Sequence, residues 1–194
     1  MHVKRGEAGD AMGDGPHGNG KHQDAGVAAL EGEVRAVLAV ARAFMHVRPC
    51  ILEVTDVAAQ LGRPAGLEAA LARLEARGDV MVQWRPGGVM GSAFVTQDGL
   101  RRWAEDLRAR GVDPLPDYAV WAARIEAQLG SALLQRTEDL AAELEVPVDT
   151  LIAQLRVMEA LGRVKANKRG QGVILSVQLL ISAEIGSAPE HRGS

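Results

Sequence analysis

Two stretches of this chain can be laid over each other: VAAQLGRP at 57–64 and LAAELEVP at 140–147. Each holds Ala-Ala, a polar residue, Leu, two variable residues and Pro, and each follows a threonine, Thr55 or Thr137. Downstream, LARLEARGDV (71–80) matches LRVMEALGRV (155–164), with one residue gained in between. The repeat is about 84 residues long, too long for a solenoid repeat and right for a small domain. The chain is therefore expected to build one small unit twice.

The local signals give each copy the same order. Val34, Val37, Leu38, Ala41, Phe44 and Met45 carry helical spacing over about 33–45. Pro49 disfavours helix at the residue before it, and Ile51–Val54 reads as a short strand. Thr55 is expected to cap a short helix over 56–61, and Gly62 to end it. A longer helix, about 65–77, places Leu67, Leu71 and Leu74 on one face and stops at Gly78. Val80–Trp84 and Ser92–Thr96, separated by Arg85-Pro86-Gly87-Gly88, read as a hairpin, followed by a helix over about 98–110. The second copy reads as a helix over about 118–134 and a short helix over 138–144 capped by Thr137. A longer helix over about 148–161 carries Leu151, Leu155 and Met158 on its inner face, and a hairpin over about 163–180 follows.

The resulting class is α+β, mainly α with small β hairpins. The expected division is a disordered tail (1–28), a first domain (29–111), a linker (112–117), a second domain (118–182) and a flexible C-terminal tail (183–194). Hydrophobic residues make up 47% and aromatics only 3%, so Leu, Val, Ala and Ile must do the packing.

Helix, short helix, longer helix and hairpin, twice over, resemble the winged helix-turn-helix superfamily. The motif runs from Thr55 to Gly78 and from Thr137 to Gly162, each followed by a hairpin wing, and covers about three quarters of the chain. Phe94–Leu100 also resembles the segment after the wing in bacterial regulators of this kind. No specific subfamily is indicated. The resemblance implies a DNA-binding protein, a transcriptional regulator or chromosome-associated factor. Its longer helix would enter the major groove and its wing would reach a phosphate or the minor groove.

On that reading the copies differ. The outer face of the first longer helix offers Glu68, Ala69, Ala72, Arg73 and Ala76, a poor reader of bases, so Arg73 and the wing residue Arg85 are its candidate contacts. In the second copy Thr150, Ala153, Gln154 and Val157 are expected to face outward; Gln154 would pair with adenine and Thr150 with a base or a thymine methyl. The following segment holds Arg163, Lys165, Lys168 and Arg169 with no carboxylate, the densest basic stretch of the chain. Double-stranded DNA is thus the expected partner, although a formal net charge of -3 weighs against a strong positive field. The alternative is a protein-interaction accessory subunit of a chromosome-segregation or replication complex with tandem winged helices. The two Leu-rich helices at 33–45 and 118–134 also allow a homodimer.

Other chemistry finds little support. Gly15–Lys21 approaches a phosphate-binding loop, but His22 stands where Ser or Thr is needed, and Gly13, Gly15 and Gly18 match dinucleotide spacing only within a Gly-rich tail. His2, His17, His22 and His191 lie near the ends; His46 follows a helix, where a cation is favoured. The lone Cys50 reads as a small buried hydrophobe. With no catalytic constellation, cofactor motif or metal set, the expectation is a non-enzyme. With no apolar run of about 20 residues the chain is expected to stay away from membranes, and the lone cysteine fits a reducing cytoplasm, with the nucleoid expected if it binds DNA.

Overall fold

A computed structural model describes residues 19–130, 134–169 and 173–180. The fold is mixed α+β, and its elements repeat in order. The first copy is α1 (Asn19–Ala43), β1 (Leu52–Glu53), α2 (Val54–Gln60), α3 (Leu67–Ala76), β2 (Val80–Arg85) and β3 (Val89–Val95). A bridging helix α4 (Gln97–Ala109) follows. The second copy is α5 (Tyr118–Leu129), β4 (Gln135–Arg136), α6 (Thr137–Glu143), α7 (Val148–Ala160), β5 (Val164–Arg169) and β6 (Val173–Leu179). Each hairpin takes on a third strand, so the sheets run β1-β3-β2 and β4-β6-β5, antiparallel throughout. Both carry a register shift at the same place, Gln83/Trp84 and Asn167/Lys168. A shared irregularity of this kind marks a repeat at the level of backbone, not only of composition.

Several expectations need correction. Residues 19–28, assigned to a disordered tail, form the first turns of α1. Val27 packs against the core one turn before Leu30, which continues the face of Val34 and Leu38. Glycines at 26 and 32 hid that continuity in the sequence. The tail residues 1–18, the near-motif glycines 13, 15 and 18, and His2, His17 and His191 lie outside the described residues, as do the C-terminal tail and the tip at 170–172.

Neither threonine caps its helix through its side chain. α2 and α6 begin after Glu53 and Arg136, with Thr55 and Thr137 already inside the first turn. Thr137 is buried and its hydroxyl donates to the Ile174 carbonyl at 2.9 Å, which ties α6 to β6. The side-chain cap is instead Thr96, whose Oγ1 accepts from Gly99 N at 2.9 Å and opens α4.

The segment 112–117 is not a loose linker. Leu115 is buried, and the Pro116 carbonyl accepts a hydrogen bond from Gln154 Nε2 at 3.1 Å. The two copies therefore share one continuous hydrophobic core, from Val34 and Leu38 through Leu71 to Leu151 and Met158. Among the described residues no helix is long and apolar enough to cross a membrane.

Candidate functional site

The repeat gives matched positions to compare. In α3, Leu67, Leu71 and Leu74 face the core; in α7 their counterparts are Leu151, Leu155 and Met158, all buried. The opposite face separates the copies. Glu68, Ala69, Ala72 and Arg73 are exposed on α3, whereas Ile152, Ala153, Arg156 and Val157 are buried on α7. A helix apolar on both faces must be covered on both, and α7 packs on α4 and α1 as well as within its own copy.

This corrects the outward face expected for α7. Gln154 is only 3% exposed and turns to Pro116; Ala153 and Val157 are fully buried, and Thr150 is half-buried. The signal was present in the sequence: Ile152 and Val157 stand where α3 has Glu68 and Arg73. From Leu151 to Met158 no base-reading surface remains on this helix while the copies stay packed; only the first turn, Val148–Thr150, keeps some exposure.

The seam between copies is polar at its edge. Arg156, itself buried, donates from one nitrogen to the Ala43 carbonyl and to His46 Nδ1, both at 2.9 Å. Because arginine only donates, Nδ1 must accept, which leaves the imidazole proton on Nε2. Nε2 in turn lies 3.0 Å from the Asp149 carboxylate. Burial and the neighbouring Arg156 hold the His46 pKa below its ordinary value, against the pull of Asp149. His46 thus serves as a neutral bridge between copies and not as a charged cap of α1.

The candidate cations are largely committed. Arg163 bonds Glu126 on α5 at 2.6 Å, and Lys168 Nζ lies 2.5 Å from Glu159 on α7. Arg85 bonds Glu53, and Arg73 lies 3.8 Å from Glu31. Lys165 and Arg169 are exposed along β5, and no carboxylate among the described residues forms an ion pair with either. The first copy's charge is concentrated elsewhere: Asp79, nearly fully buried, meets Arg102 at 2.5 Å, Arg77 at 3.5 Å and Arg35 at 3.7 Å.

Exposed apolar side chains mark a different surface. Leu134, Val148, Val173 and Leu175 are 39–53% exposed and border one groove of about 330 Å³ between β6 and the start of α7. The first ribbon exposes Met81, Trp84 and Val89. Among the described residues no three His, Cys, Asp or Glu side chains are placed to hold a metal ion. No protein-family model matches the chain, and neither does any curated protein or solved structure.

Proposed function

We propose that this chain is a tandem winged-helix protein that works as a non-enzymatic interaction subunit and binds partner proteins rather than reading DNA bases. One observation carries the reading: α7, the helix that the winged-helix resemblance assigns to the major groove, is buried from Leu151 to Met158 against α1, α4 and its own copy, with only its first turn open. The remaining open helix, α3, presents Ala69, Ala72, Ala76 and Arg73, the last near Glu31, beside Glu68, which repels phosphate. The second copy offers instead an apolar groove bordered by Leu134, Val148, Val173 and Leu175. Clustered exposed apolar side chains of this kind mark protein contacts. The net charge of -3 fits this reading better than nucleic-acid binding.

An anisotropy titration with a mixed-sequence duplex at low salt tests it. The proposal expects no saturable binding. Saturable, salt-sensitive binding would overturn it. In cells, a photoreactive amino acid in place of Leu175 is expected to give a discrete crosslinked species that Val148→Glu removes.

One observation favours a second reading, sequence-independent contact with a DNA backbone. Lys165 and Arg169 are exposed near opposite ends of β5 in the second ribbon. Under that reading the duplex titration saturates, and neutralising both residues abolishes binding at every sequence.

A further inference from the structure

The two sheets end on equivalent edge strands, β2 in the first and β5 in the second. The Asp79 carbonyl accepts from Thr96 N at 2.9 Å, and the Arg163 carbonyl accepts from Leu180 N at 3.0 Å. In an antiparallel pair, alternate residues turn their N–H and C=O to the partner strand. Met81 and Gln83 therefore bond β3, and Val82 between them turns its backbone groups to the free edge. In the second sheet Lys165 and Asn167 bond β6, and Ala166 turns to the free edge.

The copies treat that edge differently. In the first, Glu75 on α3 closes it: its Oε1 accepts from Val82 N at 3.1 Å. In the repeat Glu159 on α7 is the counterpart of Glu75, and Ala166 that of Val82. Glu159 turns instead to Lys168, whose Nζ lies 2.5 Å from its carboxylate. Among the described residues no side chain takes its place at Ala166 N, and Ala166 is only half-buried. One edge is closed by a carboxylate, and the other keeps an amide free to bond a further strand.

An open edge of this kind is a template for strand addition. The side chains indicate which strand. Lys165, Asn167 and Arg169 alternate along β5 on one face of the sheet, all exposed. No carboxylate among the described residues forms an ion pair with Lys165 or Arg169. A second copy of β5 laid along this edge would bring cation against cation, which is unfavourable. A strand with carboxylates at every second position meets the same row with opposite charge.

We propose that the β5 edge takes up an extended acidic segment of a partner protein as a fourth strand of the second sheet. Backbone bonds at Ala166 hold the strand, and alternate carboxylates engage Lys165 and Arg169. The inference rests on the reading of this chain as a binder of partner proteins. The site lies at the opposite edge of the sheet from β4 and the apolar groove beside it.

Amide hydrogen exchange on the full-length chain, followed by NMR, reads the edge residue by residue. After correction for intrinsic rates, the Ala166 amide of the free protein is expected to exchange several-fold faster than that of Val82. A peptide alternating Glu and Thr, at low salt, is expected to slow exchange at Ala166 saturably and to leave Val82 unchanged. The same peptide N-methylated throughout keeps the charges but loses its donors, and is expected to give no protection; nor is a peptide alternating Lys and Thr. Replacing Lys165 and Arg169 by Gln is expected to weaken the protection. Slow exchange at Ala166 in the free chain, no protection by the acidic peptide, or equal protection by either control peptide would overturn the proposal, and all three are read on the unmodified chain. If the peptide fails while the crosslink at Leu175 persists, this inference falls and the groove stands as the partner site. Saturable duplex binding that the peptide displaces would remove both.

Discussion

Ala69 and Ala153 hold the same place in the two copies, yet Ala69 lies open on α3 and Ala153 is fully buried on α7. The alanines themselves do not cause the difference; their neighbours do. Glu68 and Arg73 flank Ala69, while Ile152 and Val157 flank Ala153. Burying one Ile or Val side chain contributes about 1.5–3 kcal/mol, so two apolar residues on the outer face are enough to favour packing of that face. One copy keeps an open helix, and the other uses the equivalent helix as internal structure.

The matched positions 73 and 157 should therefore respond unequally to truncation. Val157→Ala opens a cavity in the seam and is expected to cost about 2 kcal/mol. Arg73→Ala removes an exposed contact with Glu31 and is expected to cost less than about 1 kcal/mol. Urea titration checks both, with the midpoint moving and the slope unchanged.

Stability should fall on the acid side through His46. Burial, followed by the nearby Arg156, lowers its pKa from 6.5 in the folded chain. As pH drops through the unfolded value the unfolded chain takes up a proton that the folded chain resists, so unfolding is favoured. The loss begins near pH 6.5 and is complete below the folded pKa. Urea midpoints measured from about pH 7.5 down to about pH 5 should show this decline, and His46→Gln should flatten that part of it.

The buried carboxylate of Asp79 should be costly to neutralise. Three arginines, from α1, α4 and the end of α3, converge on it. Their partial exposure lets them recover some hydration, so Asp79→Asn is expected to cost about 2–3 kcal/mol, less than a fully buried pair would. Thermal or urea unfolding measures it. The counterpart of Asp79 is Arg163, whose partner is Glu126, so the two copies fill this corner with opposite charges.

Gly99 should tolerate no side chain. A Cβ there would lie 1.9 Å from the Asp79 carbonyl oxygen, a backbone atom that cannot swing aside. Gly99→Ala is expected to cost about 3 kcal/mol through forced displacement of α4 from the sheet, read as a lower urea midpoint.

Much of the fold was legible because the repeat and the helical spacing depend on local sequence. Leu67, Leu71 and Leu74 declare α3, and Val80–Trp84 declares its hairpin, without knowledge of anything distant. What escaped depends on contacts far apart in the chain. β4 is two residues long and exists only because β6 accepts it, whereas its counterpart β1 falls within the short strand that Ile51–Val54 announces. Thr137 reads as a cap from its neighbours and becomes a tether only once Ile174 is beside it. The outer face of α7 was misread because its inner face alone satisfied the amphipathic pattern; Ile152 and Val157 matter only when α1 and α4 are in place. The basic ribbon, likewise, reads as cationic until Glu126 and Glu159, both earlier in the chain, meet Arg163 and Lys168.

The central claim, that α7 is a seam and not an open helix, is tested by thiol labelling. With Cys50→Ala as background, Ala69→Cys and Ala153→Cys are compared for their rate of reaction with a maleimide under native conditions. The account predicts that the thiol at 69 reacts nearly as fast as in the unfolded chain and that the thiol at 153 reacts only as fast as the chain opens. Equal, rapid labelling at both positions in folded protein would contradict it.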